Sequence, residues 1–406
     1  MSNDIRERKG KEDFGPDTIE EVMRERIRER IEELVEEELT VALGAGQSER
    51  VGEARRGYRH GARSRTLTTS LGPTTFSMPR ARVKSSEGRT TEWSSQIVPR
   101  YQRRTQRVDE AILGVYLSGG NTRRIRGALA PLLKGSPLSK DAVSRLVGRM
   151  SEDFNNWRSR DLAADQVRYV MLDGWYPKLR LGKRRERIPV LVALGVCTNG
   201  DRILLDLRLA GQESQASWEE LLRGLVQRHI GTPVLAIIDG NAGLEAALQM
   251  QWPGIRIQRC TAHKLRNLKA KVPVRMREEV AEDYRRMIYA ESRTLAEARR
   301  DRFVKKWKLQ CPAVIESFQE AGDHLFTFFD FPQSQWKALR TTNALERING
   351  EFRRRTKTQA SLPGQNAVLL LMFGLLKTGQ IRARKIDGWR EMQTVSFKQE
   401  ALKVPA

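Results

Sequence analysis

The chain has 406 residues, 39% of them hydrophobic, and a formal net charge of +23 from 73 Lys and Arg against 50 Asp and Glu. That length supports roughly two to four domains with a real core, and the three cysteines, Cys197, Cys260 and Cys311, exclude a disulfide-stapled scaffold. No run of about 18 apolar residues exists to span a bilayer, the charged N-terminus from Asp4 onward reads against a secretory signal, and the positive excess points to a polyanion, most simply nucleic acid.

The first 45 residues contrast with the rest. They hold fourteen Asp and Glu against eight Lys and Arg, a local charge of −6, which leaves +29 on the remainder. Ile19, Met23, Ile27, Ile31, Leu34, Val35 and Leu39 recur mostly at three- and four-residue steps, which predicts an amphipathic helix over Thr18–Leu43, capped by Asp17 or Thr18 behind Pro16. So acidic a helix is expected to pack on another element, in its own chain or in a second subunit, rather than on DNA.

Residues 46–105 turn basic, with thirteen Lys and Arg against four Asp and Glu. Arg55-Arg56-Gly57-Tyr58-Arg59 leads into Leu67–Gly72, and Thr75–Arg80 alternates and stops at Pro79. This predicts a small exposed β-hairpin with Arg, Thr and Ser outward, where Arg56 and Arg59 suit phosphate contacts. Residues 106–165 read as a tri-helical unit: Val108–Leu117 closed by Ser118-Gly119-Gly120, a helix that begins near Asn121-Thr122 and ends by Pro131, and one capped by Ser139 with Val143, Leu146, Val147 and Met150 on its apolar side. The spacing fits a helix-turn-helix, which would aim Lys140, Ser144, Arg145 and Arg149 at a major groove; a structural connector is the other reading.

From residue 166 the pattern switches to strands. Gln166–Leu181, Ile188–Cys197 and Arg202–Leu209 follow one another through a basic turn at Gly182–Arg185 and through Asn199-Gly200-Asp201, which predicts an antiparallel meander. A helix from Ser217 to His229 with Trp218, Leu221, Leu222, Leu225 and Val226 on one side comes next, then a strand Val234–Ile238, a helix from Ala242, and a strand Ile255–Gln258. The order β-β-β-α-β-α-β is that of a ribonuclease H-like fold. The expected architecture is therefore α/β: a ribonuclease H-like core in residues 166–263 and 339–406, interrupted by an all-α insertion over 264–338, and preceded by the helix, the basic β region and the helix-turn-helix-like unit. A basic tail closes the chain.

Two apolar runs end in Asp-Gly: Leu172-Asp173-Gly174 and Ile238-Asp239-Gly240. Each alone is an ordinary turn; two strands that deliver an Asp to one sheet edge can share a divalent metal. Glu346, at the start of a late helix, is the third acid. Its competing reading is a capping box with Asn343. The spacings are 66 and 107 residues, the second lengthened by the helical insertion. Cys260-x-x-His263 has no second ligand pair at zinc spacing, so a local role in shaping the site is preferred. Trp307 could stack on a base or belong to the core.

With Leu172-Asp173-Gly174, Asp239-Gly240, Cys260-Thr261-Ala262-His263 and Thr341-Thr342-Asn343-Ala344-Leu345-Glu346-Arg347 together, the chain resembles the mutator-type family of bacterial insertion-sequence transposases over nearly its whole length. The resemblance implies a DDE enzyme in which Asp173, Asp239 and Glu346 bind two Mg²⁺ ions, with Mn²⁺ able to substitute. Cys260, His263 and Asn343, within the recurring motifs, are expected to shape the site, and Arg347, Arg353 and Arg354, on the basic helix that carries Glu346, are expected to contact DNA. Three carboxylates fit that chemistry, because Mg²⁺ prefers oxygen and keeps several waters, and paired cations serve both the attacking and the leaving oxygen of a phosphodiester. The expected partners are double-stranded DNA, at element ends and target, and further copies of the chain as a dimer or higher oligomer; no membrane partner is expected, and the expected location is the cytoplasm, at the nucleoid. A ribonuclease H-like nuclease that only hydrolyses and a non-catalytic DNA-binding derivative are the rivals.

Overall fold

The computed structural model describes residues 16–51, 55–84, 89–118, 122–181, 184–358, 365–379 and 381–392. The chain forms two compact units that divide between Gly148 and Arg149.

In the first unit, α1 (Pro16–Leu43) begins at the proline itself, whose missing N–H costs nothing in a first helical turn, so Asp17 and Thr18 lie inside the helix rather than capping it. Its C-terminal half buries Val35, Leu39 and Leu43 against Leu67, Phe76, Met78, Ala81 and Val98 of the β region. The N-terminal half leaves Ile19, Val22 and Met23 exposed. Strands β1 (Gly57–Thr69) and β2 (Gly72–Lys84) pair antiparallel, with β3 (Thr90–Glu92) beside β2. The expected stop at Pro79 does not occur. Pro79 pairs with Ala62 next to a register shift between Arg59 and Ala62, and at such a bulge a strand tolerates a residue without an N–H. Nor do all the threonines face outward: Thr68, Thr69 and Thr74 are buried.

Helices α2 (Gln106–Leu117), α3 (Thr122–Ala128) and α4 (Ala130–Leu133) follow, then α5 (Lys140–Ser159), which runs across the unit boundary. The glycines expected to close α2, Gly119 and Gly120, and Asn121 fall outside the described residues. The second helix of the tri-helical reading, α3, ends at Ala128, before Pro131 as expected; Pro131 itself sits in the first turn of α4, where proline is favoured. Ser139 Oγ accepts the Ala142 N–H at 3.1 Å, the expected cap for α5. Val108, Ile112, Ile125, Leu133, Leu138, Val143 and Leu146 form one core.

The second unit is built on a mixed five-stranded sheet. Its strands are β4 (Val167–Trp175), β7 (Val190–Cys197), β8 (Arg202–Leu209), β9 (Leu235–Ile238) and β10 (Arg256–Arg259), in spatial order β10-β9-β4-β7-β8. Strands β4, β7 and β8 are an antiparallel meander; β9 and β10 run parallel to β4. The single long strand expected from Gln166 to Leu181 breaks at Tyr176-Pro177. Beyond it β5 (Lys178–Leu181) and β6 (Arg184–Arg187) pair with each other as a separate arm, whose tip at Gly182-Lys183 lies outside the described residues.

Alternation on β4 divides the layers. Val170 and Leu172 pack with Trp218, Leu221, Leu222 and Leu225 of α6 (Gln215–Gln227) and Leu244 and Leu248 of α7 (Ala242–Gln251). Helix α6 starts earlier than Ser217, capped by Ser214, and Val226 is exposed rather than on the buried side. Tyr169 and Trp175 face the opposite layer, where the Tyr169 ring meets Phe331 edge-on and Trp175 lies against Phe352. After β10 the chain is helical: α8 (Thr261–Ala270), α9 (Arg277–Ile288), α10 (Arg293–Gln310), α11 (Pro312–Ala321) and α12 (Gln333–Leu339), then α13 (Asn343–Thr358) and α14 (Gln365–Lys377).

Candidate active site

Three parallel strands end at one edge of this sheet. Register pairs Leu172 with Ile238 and Ile238 with Arg259, so Asp173, Asp239 and Cys260 sit one residue further along at the same level. This edge lies where the strand order reverses between β4 and β9, the place where open α/β sheets bind ligands. Gly240 turns the chain away after Asp239 with φ 111°, a conformation other residues rarely adopt.

Asp173 is buried, and its Oδ2 accepts a 2.8 Å hydrogen bond from Asn349 Nδ2. Burial, reinforced by the negative charges of Asp239, Glu213 and Glu346, pushes its carboxyl up to about 7, against partial relief from His263. Asp239 Oδ1 accepts the Asn241 N–H at 3.2 Å. A fourth carboxylate, Glu213, lies against the backbone of Gly174: a Cβ at Gly174 would come within 2.5 Å of its carboxyl carbon. Tyr176 Oη donates to Glu213 Oε2 at 2.6 Å, and burial holds the Glu213 carboxyl above its ordinary range.

Glu346 does not bond back to the start of its helix. Its carboxylate lies 3.1 Å from His263 Nε2 and accepts from Arg266 at 2.8 and 2.9 Å. Two motifs about 80 residues apart meet here. Thr342 donates from N and Oγ1 to Cys260 Sγ at 3.4 and 3.3 Å, and Thr261 donates from N and Oγ1 to the Arg340 carbonyl, each at 2.9 Å. The Cys260 sulfur, with Asp173 and Glu346, holds the His263 imidazole above its ordinary pKa against the opposing effect of burial. Asn343 lies exposed at the first position of α13. Among the described residues no group of three or more His, Cys, Asp or Glu stands ready to hold a metal ion, and Glu346 is engaged by cations of the protein itself.

The residues expected to contact DNA divide. Arg56 is exposed, as are Lys140, Ser144, Arg145 and Arg149 along one face of α5. Arg59 instead reaches back to α1, donating to Glu36 Oε1 at 2.6 Å and to the Ala45 carbonyl at 3.1 Å, and is a structural tie. On α13, Arg347 and Arg353 are exposed, Arg347 lines a basic recess with Arg202, Arg382 and Arg384, and Arg354 pairs with Glu351. Trp307 is fully buried, packed on Phe303, and donates from Nε1 to Asp283 at 3.1 Å, which leaves no ring face for a base. Sequence reading missed Asn349, Glu213 and Arg266. Asn349 had one visible signal, its place three residues after Glu346 on the same helical face.

A profile described as "Transposase, Mutator family" matches residues 5–381. The chain belongs to that family and is a transposase, of the DDE type. It is 33% identical to the transposase for insertion sequence element IS406 of Burkholderia multivorans, over 84% of this chain and 85% of that one. It is 32% identical to the transposase for insertion sequence element ISRM5 of Rhizobium meliloti, over 95% of each. Among solved structures it is similar to the Drosophila P element transposase strand transfer complex, at 12% identity and a TM-score of 0.29 over 69% of this chain and 81% of that one; so loose a likeness carries no argument.

Proposed function

We propose that the second unit is a ribonuclease H-like catalytic core in which Asp173, Asp239 and Glu346 are the acid triad, and that the protein cuts DNA at the ends of an insertion sequence and joins the freed 3′-OH to target DNA. The observation that carries this reading is the level register of Asp173 and Asp239 on adjacent parallel strands, beside a helix bearing Glu346 that is clamped to the end of the third strand. The donor set is oxygen only, which suits Mg²⁺ or Mn²⁺ over softer metals. The proton that Asp173 retains to about pH 7 is what crowded acids do where no cation balances them. Bound divalent ions would supply activation of the attacking oxygen and neutralisation of the leaving one.

The protein's own part is to place those carboxylates and to surround them with cations. Arg266 and His263 hold Glu346 within the site and must release it for a metal to be bound. The exposed basic residues of α13 suit phosphates beside the cut. The tri-helical unit ending in α5 is assigned to reading the element ends, and assembly on two ends calls for more than one copy of the chain.

A plasmid carrying element ends, incubated with protein, a target plasmid and Mg²⁺, tests this. End cleavage and joined products are expected, both abolished by a chelator. Cleavage without joining would leave a hydrolytic nuclease; binding without cleavage would leave an inactive derivative.

A further inference from the structure

We infer that Asn349 is a positioning residue for this site: it holds the Asp173 carboxylate in the orientation from which that group acts. The inference rests on the triad reading above and extends it to a residue that is not itself an acid.

Helix α13 lies along the layer that the odd-numbered residues of β4 face. Phe352 packs against Trp175, with ring centroids 6.0 Å apart, and one turn earlier Asn349 Nδ2 donates to Asp173 Oδ2 at 2.8 Å. One further turn back is Glu346. The three residues Glu346, Asn349 and Phe352 recur every three positions, so one helical face presents an acid, an amide and an aromatic ring in line. The ring fixes the helix on the strand, the amide fixes the first acid, and the third acid follows.

Asn349 is 4% exposed, among the apolar side chains Leu345, Ile348 and Phe352 of the same helix. Its Oδ1 is buried and, among the described residues, meets no hydrogen-bond donor. A side chain kept only for packing would be apolar here, since an amide with half its hydrogen-bonding capacity unmet is a poor way to fill a core. Groups that orient a metal-binding carboxylate through a hydrogen bond are the usual second layer of such sites.

The test compares Asn349→Ala, Asn349→Leu and Asp173→Asn in the full chain. Leu keeps the branched outline of Asn with more bulk and no donor, and Ala is smaller with no donor, so an effect the two share is lost positioning rather than changed packing. Direct Mn²⁺ binding is measured by calorimetry, end cleavage is followed across a Mn²⁺ titration, and end binding and melting temperature are recorded for each variant. Both Asn349 variants should raise the half-saturating Mn²⁺ concentration about 10–100-fold. End affinity should be unchanged, and the Mn²⁺ shift should be shared by the smaller Ala and the bulkier Leu whichever way each moves the melting temperature. Wild-type Mn²⁺ binding and cleavage by Asn349→Leu would overturn the inference, as would a lowered melting temperature with an unmoved Mn²⁺ titration. Asp173→Asn separates the two levels: if it too binds Mn²⁺ and cleaves normally, the triad reading fails; if it is inactive while the Asn349 variants are normal, only the inference fails.

Discussion

Asp173 binds its proton more tightly folded than unfolded, and that has a consequence for stability. Without a cation the folded protein keeps the proton up to about pH 7, whereas an ordinary aspartate releases it near 3.8. Between those values the native state binds more protons than the unfolded chain, so stability falls as pH rises through the window. The metal-free protein should therefore melt at a lower temperature at about pH 8 than at about pH 5, and Mg²⁺ should raise the melting temperature more at the higher pH. Asp173→Asn should remove both effects; a metal shift indifferent to pH would contradict the account. Gly174 gives a second prediction at this scale. An added methyl meets the Glu213 carboxyl, the far end of a flexible side chain, so Gly174→Ala should fold with a loss of about 1–3 kcal/mol and displace Glu213. Denaturant unfolding measures the first, and a changed Tyr176 titration, since Tyr176 donates to Glu213, reports the second. The acids were legible in the sequence because each closes an apolar run or opens a helix. Asn349 and Glu213 were not, because what distinguishes them is a neighbour 176 residues away for one and, for the other, which lies in the loop before α6, a glycine on β4. Arg59 was offered to DNA for the same reason: Glu36, with which it pairs, lies more than 20 residues away, whereas the core reading of Trp307 is the one its burial supports.

Elements that the sequence marked by period and cap appear where expected. Helix α5 begins after Ser139, and β8 spans Arg202–Leu209 as read. Where proline met a bulge, reading failed: β2 continues past Pro79. The error came from treating proline as a stop, when a bulged strand tolerates it. Helix α1 carries its own prediction. Leu39 is fully buried against the β region, so Leu39→Ala should cost about 2–5 kcal/mol, read from denaturant unfolding. The paired change Ile19→Ser, at an exposed position, should cost nothing measurable unless copies of the chain associate there, which sedimentation at several concentrations would reveal. On α5, Arg145 stands exposed on the side opposite Val143 and Leu146. If that face reads bases, Arg145→Ala should lose about 1–3 kcal/mol of discrimination between true and scrambled ends in competition binding. Equal weakening on both DNAs would make it a phosphate contact.

At the scale of the whole molecule, charge is divided along the chain: an acidic first helix, then +29 over everything beyond residue 45. DNA binding should accordingly weaken steeply with salt, with a linear fall of log K against log salt concentration, and a flat plot would contradict the basic faces assigned here. No helix among the described residues is long and apolar enough to cross a membrane. The central claim is that Asp173, Asp239 and Glu346 act as one metal-holding set. The most direct measurement is cleavage and joining of end-containing DNA by Asp173→Asn, Asp239→Asn and Glu346→Gln, with end binding measured alongside. The account predicts that each variant binds ends nearly as well as the wild type and neither cleaves nor joins them, since an amide keeps the shape and loses the charge. Near-wild-type cleavage by any one of the three would remove that residue from the set.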